Sequence, residues 1–201
     1  MNSPEEYLSN IDPDFAKLIQ RVGPSRLAVT PRSPYEALVR AVAHQQLHGK
    51  AAEAILRRLT GLFPEHEFPP PDALLGREDQ ELRGCGLSAA KLAAIKDIAG
   101  KTLDGLVPCA EDAAILENEA LIERLTALRG VGRWTVEMLL IFTLGRPDIL
   151  PVDDFGVRDG YRKLKALEAQ PKPKALAEIG EAWSPHRSTA AWYLWRASEL
   201  I

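Results

Sequence analysis

The chain has 201 residues, enough for one substantial core or two small lobes, and its 46% apolar and 26% charged content is ordinary for a globular protein. A formal net charge of −3 excludes a protein that holds polyanions by bulk charge. Two cysteines, Cys85 and Cys109, are too few for a disulfide framework, and the most apolar stretch, 138–144, is far too short to span a bilayer. Residues 1–10 contain Glu5 and Glu6 and no apolar secretory core, so a soluble protein of a reducing compartment is expected, with no membrane partner.

Apolar residues recur at helical spacing almost everywhere, and no convincing alternating run appears, so the expected fold class is all-α. Asp12-Pro13 opens a short helix with Phe15, Leu18, Ile19 and Val22 on one face, and residues 1–33 are expected to pack as one or two helices. Ser33 and Pro34 read as N-cap and first residue of a helix carrying Leu38, Val39 and Val42, expected to stop near 47–49. A second helix carries Ala54, Ile55, Leu59 and Leu62, and 64–71, with four of the 15 prolines, is a loop. Ser88 caps a helix with Leu92, Ile95, Ile98 and Ala99, and Leu121, Ile122, Leu125 and Leu128 form another amphipathic stripe. Arg129-Gly130-Val131-Gly132 interrupts that stripe, and a strongly apolar helix resumes over 133–143. A loop over 145–155 precedes three further helices near 156–164, 172–183 and 185–199, the last opened by Ser184-Pro185.

The segment Leu128-Arg129-Gly130-Val131-Gly132-Arg133-Trp134 carries the most information. Two glycines one residue apart permit a tight turn with positive φ, and they leave N–H groups uncovered at the start of the second helix. Such a helix start attracts anions, so a weakly charged protein can still hold a DNA phosphate there, although the same turn could simply reverse the chain. Downstream lies Leu150-Pro151-Val152-Asp153-Asp154-Phe155. A hairpin, an apolar helix, a loop and then an aspartate together resemble the helix-hairpin-helix DNA glycosylase superfamily. The resemblance implies two helical lobes around a cleft, one of about 34–150 including the hairpin at 121–143, the other of 1–33 plus 151–201.

Within that superfamily, lyase-competent members carry a lysine just after the hairpin, where this chain has Trp134, and iron–sulfur members need four clustered cysteines, of which none follows Cys109. The chain is similar to the 3-methyladenine DNA glycosylase II branch in its Gly-x-Gly-Arg-Trp-Thr hairpin, in 183–188 with Trp192 and Trp195, and in 43–52. The resemblance implies the compact form of the branch, without the N-terminal β-rich domain of the larger bacterial enzymes. The resemblance implies a monofunctional enzyme that removes alkylated purines of the 3-methyladenine and 7-methylguanine type from double-stranded DNA, as a monomer. It would work in the cytoplasm, at the nucleoid of a bacterium or in a eukaryotic nucleus. Rival readings are a non-catalytic DNA-binding module, a glycosylase for another lesion class and a helical protein-interaction domain.

Excising a base requires taking it out of the stack. An aromatic pocket favours a cationic alkylated purine, each good cation–π contact contributing roughly 0.5–2 kcal/mol. The resemblance places Trp134, Phe155 and Trp195 in that pocket, with Met138 where some relatives have tyrosine, while Trp183 and Trp192 are left to the core. Asp154, twenty residues beyond Trp134, is the implied catalytic carboxylate stabilising positive charge on the sugar, whereas Asp153 reads as the cap of the next helix. By the same alignment Gln46 would fill the gap left by the extruded base and His48 would contact the minor groove, although Gln45 and Gln46 could instead satisfy backbone groups at a helix end. Gly130, Gly132, Arg133 and Lys50 are expected at phosphates, with Arg129 and Lys91 as weaker candidates. No cofactor is required, but family hairpins imply a sodium or potassium ion on the main-chain oxygens of Thr126, Leu128 and Val131.

Overall fold

A computed structural model describes residues 3–200 of the protein as thirteen α-helices and one 3-10 turn, with no strand among the described residues. The chain divides into a terminal unit, Met1–Thr30 with Leu140–Ile201, and a central unit, Pro31–Leu139.

The terminal unit begins with α1 (Pro4–Ile11), where Ser3 and Glu6 form a reciprocal capping box, and α2 (Pro13–Val22), capped by Asp12. It ends with α11 (Phe155–Leu164), α12 (Pro173–Gly180), the 3-10 turn Glu181–Trp183 and α13 (Arg187–Leu200). Phe15, Leu18, Val157, Leu176, Trp183, Tyr193 and Leu194 are the centre of its core, and Trp183 takes the edge of Phe15 at 5.5 Å. Trp192 is partly buried against that core. The expected start of the last helix at Ser184-Pro185 is corrected to Arg187. Asp148 accepts from the Ser184 hydroxyl (2.9 Å) and from the Arg187 amide (3.2 Å), so the carboxylate of a distant loop caps this helix. Burial pushes the Asp148 carboxyl up, but bonds from Arg187 and Ser184 outweigh it and hold the group below the ordinary carboxylate range.

The central unit contains α3 (Pro34–His44), α4 (Gly49–Gly61), α5 (Pro71–Gly76), α6 (Asp79–Gly84), α7 (Ala89–Leu103), α8 (Ala110–Ile115), α9 (Asn118–Thr126) and most of α10 (Arg133–Phe142). Ser33 and Ser88 cap α3 and α7 as their sequence positions imply. Leu38, Val42, Leu56, Leu59, Ile95, Ile98, Leu121 and Val136 are buried at helical spacing. The short α5, α6 and α8 escape periodicity analysis because six residues complete fewer than two turns. Basic side chains bind backbone carbonyls throughout this unit. Arg58 donates to Cys85 (2.8 Å), Arg77 to Leu62 (2.7 Å), Lys91 to Ala43 (2.8 Å) and Arg124 to Leu106 (2.6 Å).

In the terminal unit, α11 carries Gly156 and Gly160 one turn apart, facing α13. A Cβ added at Gly160 would overlap the backbone carbonyl of Leu194, which cannot move without moving α13. Gly160→Ala is therefore expected to destabilise the protein by about 3 kcal/mol, lowering the melting temperature by roughly 6–12 °C in a thermal scan. The Asp148 contribution to stability is full above the unfolded carboxyl value and is lost as pH falls through the lowered folded one. Acid titration of Asp148→Asn should accordingly show a flatter loss of stability below the ordinary carboxyl range than the parent protein.

Candidate active site

The residues singled out in the sequence lie in both units. In the central unit, α9 ends at Thr126 and α10 begins at Arg133, with the turn between them. Gly130 takes φ +74, and a Cβ there would crowd Ala94 at 3.2 Å, so this position needs glycine twice over. Gly132 differs from expectation. It has no positive φ and open space around it, and its carbonyl accepts from the Thr135 (3.0 Å) and Val136 (3.3 Å) amides as the start of α10.

The charges around this turn are largely matched. Asp97 accepts from the Arg129 amide at 2.8 Å. The Arg133 guanidinium forks onto both oxygens of Glu119 (3.0 and 2.6 Å) and reaches Glu137 at 3.0 Å. The Glu119 partner raises the Arg133 pKa further, and the same bond holds Glu119 below the ordinary carboxylate range. Lys91 is half-buried. Its ammonium lies against the Ala43 carbonyl, and burial lowers its pKa.

The early helix junction is tighter than its sequence implies. Helix α3 stops at His44 rather than near 47–49, because Gln46 turns to φ +58, a left-handed conformation rare for a residue with a side chain. Gln45 donates from Nε2 to the Gly130 carbonyl at 2.9 Å, tying this junction to the hairpin, so it does satisfy a backbone group. Gln46, Leu47, His48 and Lys50 are all exposed.

A pocket of about 470 Å³ lies beside the junction, lined by Ala41, His44, Gln45, Gln46, Trp134, Thr135 and Met138. Trp134 is 46% exposed, far more than a core tryptophan, and Met138 is half-buried on the next turn of α10. His44, which sequence reasoning passed over, reaches Glu53 at 3.1 Å from Nε2. Its only sequence signal is its place four residues before His48 at the helix junction.

In the terminal unit Asp154, not Asp153, caps α11. Its Oδ1 accepts from the Val157 amide at 2.8 Å, and the helix starts one residue earlier than expected. Asp153 is exposed. The same Oδ1 accepts from the Trp195 indole Nε1 at 2.9 Å. The Trp195 ring stacks on Phe142 with centroids 5.6 Å apart, and Gly156 leaves space for its edge. Phe155 is 72% exposed, so it contributes nothing to the core and offers its face outward. Gly156 and Phe142 were not anticipated from the sequence, although Gly156 and Gly160 at i and i+4 are a visible mark of close helix approach.

Residues 39–186 match the family model described as HhH-GPD superfamily base excision DNA repair protein. The chain belongs to this family. It is 44% identical over 203 residues to DNA-3-methyladenine glycosylase 1 of Schizosaccharomyces pombe, covering 100% of this chain and 89% of that one. It is 34% identical over 198 residues to the alkylbase DNA glycosidase-like protein mag2 of the same yeast, covering 98% and 93%. The solved structure of the S. pombe 3-methyladenine DNA glycosylase Mag1 in complex with abasic DNA superposes with a TM-score of 0.88, covering 100% of this chain and 98% of that one. Among the described residues of the HhH-GPD protein, no helix is long and apolar enough to cross a membrane.

Gln46→Gly should remove the left-handed strain without lowering the melting temperature, since glycine adopts φ +58 freely. If the strained turn serves DNA, the same change slows base release from a lesion duplex while affecting a nicked or gapped substrate less. Equal slowing on both substrates, or a lower melting temperature, would show the side chain to be structural.

Proposed function

We propose that the protein is a monofunctional DNA glycosylase that hydrolyses the N-glycosidic bond of alkylated purines in double-stranded DNA, acting as a monomer. The observation carrying this reading is Asp154, a carboxylate with Oδ1 fixed by two N–H donors, in a chain where the position after Gly-Val-Gly-Arg is Trp134 instead of lysine. The names of the S. pombe relatives support the same substrate class.

Alkylation at N3 or N7 makes a purine cationic and a good leaving group, so the enzyme has little need to protonate it. The pocket with Trp134 and Met138 suits a flat, positively charged ring, and its 470 Å³ lies within the roughly 300–1,000 Å³ of small-ligand sites. In the terminal unit Phe155 is exposed next to Asp154 in the chain. As the bond to the base lengthens, positive charge grows on the sugar, and Asp154 stabilises it and orients water for attack at C1′. The base departs with the bonding electron pair, water adds its oxygen to C1′, and its proton is released, leaving an intact abasic strand. Gln46 fills the vacated stack, His48 contacts the minor groove, and the amides at Gly130, Gly132 and Arg133 with Lys50 hold phosphates.

The hairpin carbonyls fit a monovalent cation. Thr126 is the last residue of α9, where helical carbonyls lack intrahelical partners and the macrodipole is negative, and Leu128 O accepts one bond from the Val131 amide at 3.2 Å with a second lone pair remaining. Sodium or potassium on Thr126, Leu128 and Val131 would brace the turn without entering the chemistry.

Asp154→Asn keeps an oxygen for both N–H donors and so retains the helix cap, removing only the charge. It is expected to abolish release of methylpurines from methylated DNA while binding to an abasic duplex is kept. Full activity in this variant would overturn the assignment. Borohydride should trap no protein–DNA adduct, and strands should remain unnicked before alkali. A trapped band that vanishes when one lysine is replaced would put the protein in the lyase class instead.

A further inference from the structure

We propose that Trp195 is a positioning residue for the Asp154 carboxylate, acting through its indole N–H, and that Gly156 exists to admit it. The proposal rests on Asp154 being the catalytic carboxylate and departs from the expected place of Trp195 as a pocket wall. Two donors from different helices meet on one oxygen, the Val157 amide of α11 at 2.8 Å and the indole of α13 at 2.9 Å. A single amide restrains one N–H···O distance and leaves the side-chain torsions room to turn, whereas a second donor from another direction narrows that range.

The surroundings are shaped for this bond. One face of the indole is stacked on Phe142, with the rings 27° from parallel, so the ring is held where its N–H meets Oδ1. A Cβ at position 156 would stand 2.9 Å from the indole Cδ1, 3.4 Å from Nε1 and 3.2 Å from Asp154 Oδ1. Glycine here serves the contact, not the helix, because glycine weakens a first turn relative to alanine. Donors to a charged group are stronger than neutral ones, and small misplacements of a reacting group cost large factors in rate.

Two variants separate this role from the alternatives. Trp195→Phe keeps the stack on Phe142 and deletes the donor. Gly156→Ala keeps every functional group and wedges the indole off the carboxylate. Each is expected to lower the single-turnover rate of methylpurine release from methylated duplex DNA by about ten- to a hundredfold. Half-saturation and binding to an abasic-analogue duplex should stay within about twofold of the parent, a margin small beside the tenfold that each 1.4 kcal/mol brings. A pocket wall predicts the reverse, weaker half-saturation with a smaller change in rate, and general structural damage predicts that rate, affinity and melting temperature fall together. Either pattern in both variants overturns the proposal, as does an unchanged rate in Gly156→Ala. If Trp195→Phe does not fold, Gly156→Ala decides alone. Asp154→Asn run alongside isolates the premise. If it remains active, the carboxylate assignment fails, and if it is dead while both variants are fully active, only the positioning role fails.

Discussion

The approach of α13 to α11 is the constraint on which the carboxylate end of the molecule depends. Gly160 lets the Leu194 carbonyl come where no side chain could fit, and Gly156 one turn earlier leaves room for Trp195. With the two helices at that separation, α13 also holds the loop leading to Asp154. Ser188, fully buried, donates to the Arg146 carbonyl at 2.7 Å and accepts from the Ile149 amide at 3.0 Å. Arg187 grips Asp148 through two bonds of 2.8 Å. Ser188 and Trp195 are seven residues apart and so share a face of α13. A single helix face therefore fixes the loop along its length and the carboxylate at its end.

The net charge of −3 acquires a structural meaning in the central unit. Arg58, Arg77, Lys91 and Arg124 bind carbonyls that helix ends and loops leave without partners, and Arg133 is paired with two glutamates. These cations support the fold instead of adding to an open basic surface. A helix start such as that of α10 can attract an anion without formal charge, because its amides and dipole carry partial positive charge. The Gln45 bond to the Gly130 carbonyl ties that turn to the end of α3.

Much of this was legible in the residues themselves. The caps at Ser33 and Ser88, the proline-rich loop, the hairpin and the order of hairpin and aspartate follow from local chemistry, because capping and glycine turns are decided within a few residues. The misplacements have a common cause. Helix α3 was expected to run on, since Gln, Leu and His tolerate helix, but the bond of Gln45 to the distant hairpin and the left-handed turn at Gln46 end it sooner. Local sequence places the cap of α11 at Asp153 and the start of α13 at Ser184-Pro185. Neighbouring residues compete on equal local terms in both cases, and a remote group, Trp195 or Asp148, settles the choice.

By itself, then, the sequence determined the helical class, the hairpin and the chemical types available: a carboxylate, several aromatics and no lysine after the turn. These depend on periodicity, glycine and side-chain chemistry, which act over one or two turns of chain. Only the tertiary structure decided that Asp154 is the cap, that Trp195 binds it, that the Lys91 ammonium sits on a carbonyl and that Gly156 is a notch for an indole. Each of those is a contact between groups 3 to 48 residues apart, and three of the four depend on how closely two helices pack, a distance that no local pattern encodes.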